Sequence, residues 1–178
     1  FQLVARALAT FAGARRRFEN KYVSSHLRIV DDYGHHPTEV EATLQTARSL
    51  SPGRLVVVFQ PHRYSRTQKL ADDFGKALQG ADLVFVTDIY PASESPIEGV
   101  TAQTIVDAVE AHGDVSAKVV GPVHNAHHLV GNALQAGDLL LTLGAGNVHE
   151  IGTKIARDMA VLEELVRCCA VDGELGQA

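Results

Sequence analysis

From Leu27 onward, short apolar runs alternate with amphipathic stretches, and this alternation constrains the fold more than any other property of the chain. The runs are Leu27–Val30, Leu55–Phe59, Leu83–Val86, Ala117–Val120 and Leu139–Leu143. Most are continuous rather than alternating, the pattern of strands covered on both faces of a parallel sheet. The stretches between them carry helical spacing. Val40, Leu44 and Ala47 share a face of the first, and Leu70, Phe74, Ala77 and Leu78 a face of the second. Ile105 and Val109 point inward from the third, near Ala102–Ala111, and Leu129, Val130, Ala133 and Leu134 from the fourth, near Asn125–Gln135. Val148, Ile151, Ile155, Met159, Leu162 and Val166 then hold a helical period to the end of the last stretch.

Strand and helix in turn predict an α/β fold: an open, mostly parallel, Rossmann-like sheet of about six strands with helices on both faces. The sixth strand falls in Arg15–Tyr22 and pairs antiparallel with the next one across a short turn. Helix starts are marked by Pro37, or by Thr38 with Glu41 as a capping box, and by Ser65 with Gln68 at the same spacing.

The totals narrow the class. A chain of 178 residues makes one domain, and a net charge of −5 gives no nucleic-acid footprint. No apolar run approaches the roughly 18 residues that span a bilayer, and no signal peptide heads the chain, so a membrane partner is not expected. Cys168 and Cys169 are neighbours, and a bridge between adjacent residues is strained. The absence of a disulfide framework suits a cytoplasmic protein. The opening "FQLVARALATF" lacks an initiating methionine and already carries a helical rhythm in Leu3, Ala7, Leu8 and Phe11, so the sequence reads as part of a longer chain.

In an open parallel sheet, ligands bind beyond the carboxyl ends of the strands. Here those ends read "DDYGHHP", "QPHRYSR", "TDIYPASESP" and "GAGN", so acids, bases and glycines converge on one edge. Asp31 reads as a turn residue bonding its own backbone, which leaves Asp32 as the functional carboxylate. His36 either caps a helix or joins the site. Arg63 and Arg66 are three apart at a helix entrance, where cations oppose the macrodipole; with His62 they suit a carboxylate or phosphate, although a solvated surface pair is the bland alternative. "GAGNVH" lacks the third glycine of a dinucleotide fingerprint, yet its two glycines allow a ligand close to the backbone. Asp88 and Glu94 lie in a long loop with two prolines, functional or merely a surface excursion. His124 and His128, at i and i+4, lack a third metal ligand nearby, so no metal site is assigned there.

At "DDYGHHPTEV", "FQPHRYSRT", "TDIYPASESPIEGV" and "LGAGNV", in that order, the chain resembles the Mur ligase family, in particular its alanine-adding branch. The resemblance covers Arg15 to about Gly152. It implies that residues 14–178 are a C-terminal amino-acid-binding domain and that residues 1–13 are the terminal helix of a preceding central ATP-binding domain. It also implies an ATP-dependent amide-bond ligase of peptidoglycan precursor synthesis. Such an enzyme activates a carboxylate of UDP-N-acetylmuramate as an acyl phosphate, which L-alanine attacks. ATP and Mg²⁺ are the implied cofactors, the ion held mainly by the central domain. By the same resemblance Arg17 and Asp32 face the nucleotide, while Tyr33, His35, His62, Arg63 and Arg66 surround the amino acid. No G-x-x-x-x-G-K-[ST] phosphate loop occurs, so the chain by itself is expected to be inactive. The rival readings are a murein-tripeptide ligase of the same family, a metal-dependent hydrolase, and a non-catalytic nucleotide-binding module. The second block, "QPHRYSR", argues against the first, and the last would leave Arg63 and Arg66 without a task.

Overall fold

The computed structural model describes residues 2–9 and 14–174. Helix α1, Gln2–Ala9, precedes strand β1, Glu19–Val23, and the strands β2, Leu27–Asp32, β3, Arg54–Phe59, β4, Leu83–Thr87, β5, Ser116–Gly121, and β6, Asp138–Leu143. Between and after them lie α2, Pro37–Ser49, α3, Tyr64–Ala77, α4, Ala102–His112, α5, Val123–Ala133, and α6, His149–Glu174. The sheet order is β1-β2-β6-β3-β4-β5, with β1 antiparallel to β2 and all other pairings parallel. The expected architecture is therefore present, including its antiparallel edge. That edge strand begins four residues later than Arg15 because Arg15–Phe18 forms the turn in front of it.

The continuous apolar runs are continuous because each strand feeds two cores. Val30, Val57, Phe59, Val86, Leu141 and Leu143 point to one face, where Val40 and Leu44 of α2, Phe74 of α3 and Ile105 and Val109 of α4 cover them. Ile29, Val56, Val58, Phe85 and Leu140 point to the other, beneath Val123, Ala126 and Val130 of α5, Val148 just before α6, and Ile151 and Ile155 of α6. Each fully buried side chain of this kind contributes about 1.5–3 kcal/mol of hydrophobic stabilisation. β5 departs from the pattern: it is an edge strand, and Lys118 and Val119 face solvent. Helices α3 and α4 approach so closely that a Cβ on Gly75 would sit 2.4 Å from the Ala108 carbonyl oxygen.

Three local expectations are corrected. Helix α2 starts at Pro37 as its first residue, but the box belongs to His36 and Glu39 rather than to Thr38 and Glu41: Glu39 Oε2 accepts the amides of His35 at 2.9 Å and His36 at 3.1 Å. Ser65 lies inside α3, whose N-cap is Arg63, so it forms no box with Gln68. In the last helix the stripe is buried only through Ile155, with Met159 half-buried; Leu162 and Val166 are exposed, as is Leu129 on α5. On α1, Leu3 and Val4 are exposed. Phe11, and the side chains of Cys168 and Cys169, lie outside the described residues.

Candidate functional site

Strands β2, β6, β3 and β4 are consecutive neighbours, so the loops after them form one continuous rim. A chain of rings runs along it. Tyr33 meets His35 edge-on with centroids 5.3 Å apart, His35 lies 5.5 Å from His62, and His62 stacks on Tyr90 at 5.6 Å with 11° between planes. At the other end Arg16 and Arg17 sit over the Tyr33 ring, their guanidinium carbons 5.2 Å and 5.8 Å from its centroid, within cation–π range. The rim thus brings together Arg17, Tyr33, His35 and His62, with Asp32 at the end of β2, Arg63 in the loop after β3 and Arg66 in the first turn of α3 beside them.

The expectation for Asp31 is corrected. Asp31 is no turn residue: it is a fully buried strand carboxylate, 2.9 Å from Arg16 Nε and accepting Thr142 Oγ1 at 2.8 Å. Asp32 makes the turn bonds instead. Its Oδ1 accepts the Gly34 amide at 2.8 Å and Thr43 Oγ1 at 3.4 Å, and its Oδ2 accepts the Phe18 amide at 2.8 Å. Asp32 therefore ties the Arg-rich turn before β1 to the "DYG" corner after β2, an arrangement a second tie strengthens: the Tyr33 amide donates to the Arg16 carbonyl at 2.8 Å.

Sequence reading passed over Arg16. It donates from Nη2 to the Gly144 carbonyl at 2.6 Å and from Nη1 to the Gly146 carbonyl at 2.9 Å, besides its ion pair with Asp31. The planar fork of an arginine is suited to this multi-point grip. The glycine loop is held from the other side as well. Buried Gln60 donates to Asn147 Oδ1 at 3.0 Å and accepts the Val148 amide at 3.1 Å. A Cβ on Gly146 would lie 2.3 Å from Gln60 Oε1 and 2.7 Å from the Tyr90 ring, and one on Gly144 would lie 2.9 Å from the Gln60 carbonyl. Neither glycine therefore has room for a side chain. The only sequence signal for Arg16 was its place in a run of three arginines, which does not single it out.

Two buried groups at the rim, Arg66 Nη1 and His62 Nδ1, lack a hydrogen-bond partner among the described residues. A buried donor left unmade costs about 1–3 kcal/mol, so such atoms are found where something else completes them. Burial lowers the His62 pKa below the usual histidine value, and the nearby Arg66, His35 and Arg63 charges lower it further. His62 is thereby favoured as a neutral ring beside cations. His36, Arg63, Ser65, Arg66, Lys69 and Leu70 line a shallow pocket of about 410 Å³ at the start of α3, so His36 both caps α2 and borders this cationic hollow. Among the described residues no three His, Cys, Asp or Glu side chains gather as a metal-binding group.

The mixed six-stranded sheet flanked by helices is an α/β domain with a cationic rim. The chain belongs to the Mur ligase family: the family model described as "Mur ligase, glutamate ligase domain" matches residues 16–146. It is 48% identical over 153 residues to the UDP-N-acetylmuramate–L-alanine ligase of Geobacter sp. (strain M21), covering 85% of this chain and 33% of that protein. It is 45% identical over 157 residues to the enzyme of that name from Desulforamulus reducens, covering 88% of this chain and 34% of that protein. Among solved structures it resembles the UDP-N-acetylmuramate-alanine ligase of Thermotoga maritima, with a TM-score of 0.72 and 28% identity over 89% of this chain and 33% of the other. The chain thus spans about a third of the length of the curated relatives it matches.

Proposed function

We propose that residues 14–178 are the C-terminal amino-acid-binding domain of an ATP-dependent ligase joining L-alanine to UDP-N-acetylmuramate, and that residues 1–13 close a central ATP-binding domain. The observation that carries this reading is that Arg66 Nη1 and His62 Nδ1 are both buried without partners among the described residues, with Arg66 near enough for its charge to act on the His62 ring. A guanidinium with a buried, unmade bond suits the carboxylate of an amino acid, which it can hold through charge-assisted bonds. The neutral imidazole beside it is able to accept a proton from that amino acid's ammonium group, as the amine must lose one before it attacks.

The reaction needs an activated acyl group. Carboxylate is a poor electrophile; transfer of the γ-phosphoryl group of ATP to it creates an acyl phosphate, attack by the amine of alanine forms the amide, and inorganic phosphate leaves. This domain's share is positioning and charge. Arg17 is exposed above Tyr33, which supports its assignment to the nucleotide phosphates. Tyr33, His35 and Arg63 complete the surroundings of the amino acid. Asp32 fixes the turn that carries Arg17, through the Phe18 amide on Oδ2 and the Gly34 amide on Oδ1, and so supports the nucleotide side of the site. Mg²⁺, when bound, supplies charge neutralisation for phosphoryl transfer, and the central domain is its place.

The same observation favours the alanine ligase over a metal-dependent hydrolase, which requires at least three converging ligands and an open position for water. The murein-tripeptide ligase is disfavoured by the "QPHRYSR" block, which places Arg63 and Arg66 at the start of α3. A phosphate-release assay on the full-length chain, with UDP-N-acetylmuramate, ATP and L-alanine, tests the reading. Release that requires all three is expected; release indifferent to alanine refutes it.

A further inference from the structure

The loop between β4 and α4 is fastened to the loop between β3 and α3 in a way that serves the amino-acid site. The Tyr90 amide donates to the Pro61 carbonyl and the Arg63 amide donates to the Tyr90 carbonyl, both at 2.8 Å, so His62 and Tyr90 form an isolated parallel bridge. Beyond it the chain turns through Ala92 and Ser93, with φ of 46° and 70°, and delivers Glu94 to the start of α3. There Glu94 Oε2 accepts the Ser65 amide at 3.0 Å, Oε1 accepts Ser65 Oγ at 2.7 Å, and Oε1 lies 3.6 Å from Arg63 Nη1.

This is an expensive way to cap a helix. A helix start is ordinarily satisfied by a Ser, Thr, Asp or Asn at its own N-cap. Here the N-cap is Arg63, whose side chain makes no capping bond and whose φ of 72° is unfavourable for a residue with a Cβ. The cap is imported from 29 residues further along the chain, on a turn with two more non-glycine residues in the left-handed region. Side chains persist in that region where the surroundings over-determine them, and they concentrate at functional sites. The arrangement also places one carboxylate against a helix N-terminus that carries Arg63, Arg66 and Lys69. Glu94 therefore restrains Arg63 on one side and anchors the first turn of α3, and that turn carries the unpartnered Arg66.

We propose that Glu94 is a positioning residue for the amino-acid grip, holding the first turn of α3 so that Arg66 faces His62 with its donors turned toward the incoming carboxylate. This rests on the reading of Arg66 given above, and the test separates the two. In the full-length enzyme, KM for alanine, KM for ATP and kcat are measured for Arg66→Ala, Glu94→Ala and Glu94→Gln, with thermal unfolding of each. Glu94→Ala should raise the alanine KM on the order of tenfold, since a displacement of even 1 Å in a binding group is costly, while ATP KM and kcat stay within about twofold. Glu94→Gln keeps an acceptor for Ser65 but loses the charge on Arg63; it should keep the wild-type melting temperature and raise the alanine KM by a smaller factor. If Arg66→Ala raises the alanine KM but neither Glu94 variant does, or if ATP and alanine KM rise together, the positioning role is overturned. An alanine KM unchanged in Arg66→Ala overturns the underlying reading of the grip.

Discussion

Arg16 Nε lies 2.9 Å from Asp31 Oδ2, and the carboxylate it meets is completely buried. The pair joins the turn before β1 to strand β2, and the same guanidinium holds the carbonyls of Gly144 and Gly146. Removing one partner of a buried ion pair leaves the other charge without compensation, at a cost of about 3–5 kcal/mol. Arg16→Ala should therefore lose about that much unfolding free energy in urea. Arg16→Lys should recover only part of it, because an ammonium cannot reproduce the fork.

His62 makes stability depend on pH. Its folded-state pKa is lowered, by burial first and then by Arg66, His35 and Arg63, from an ordinary value of 6.5. Above that value the ring is neutral in both states and its contribution is fully present. As the pH falls below 6.5, the unfolded chain takes up a proton that the folded ring resists, so stability is lost down through the lowered folded value. Unfolding free energy should decline more steeply below that point in the native protein than in His62→Gln. Parallel slopes would show that the ring's surroundings do not disfavour its charge.

Arg66→Ala and Arg17→Ala should divide the substrates between them in the full-length enzyme. Loss of a charge-assisted bond is worth about 1.5–3 kcal/mol, so Arg66→Ala should raise the alanine KM by roughly tenfold or more. Arg17→Ala should raise the ATP KM and leave that of alanine nearly unchanged. Steady-state kinetics with each substrate varied in turn checks both.

Gly146→Ala should destabilise the glycine loop by about 1–3 kcal/mol, the usual cost of overpacking. The new methyl would meet Gln60 Oε1 at 2.3 Å and the Tyr90 ring at 2.7 Å. Because Tyr90 stacks on His62, the same variant should disturb the imidazole environment, visible as a shifted His62 ring signal by NMR.

The sheet and its helices were legible because their signals are local. Five apolar runs and the intervening helical stripes each announce an element, and the loops that follow the parallel strands mark the rim. Where reading failed, the deciding contact was distant in sequence. "DD" does not say which aspartate bonds to the sheet and which to the turn; only the placing of β2 beside Thr142 and Arg16 gives Asp31 the ion pair and Asp32 the turn amides. Ser65 and Gln68 have capping spacing, but the loop carrying Glu94 caps the helix in their place. The apolar stripe of α6 outruns the sheet it covers, so Leu162 and Val166 keep the period without the burial. Arg63 and Arg66 were recognisable because two cations at a helix start are unfavourable unless an anion meets them.

The strand made last, β6, lies in the middle of the sheet and bonds to both β2 and β3. Until Asp138–Leu143 has been synthesised, β1 and β2 on one side and β3, β4 and β5 on the other have no shared neighbour to join them. Folding on the ribosome must accordingly wait for nearly the whole domain to emerge, and that wait leaves apolar strand edges open for chaperones to guard.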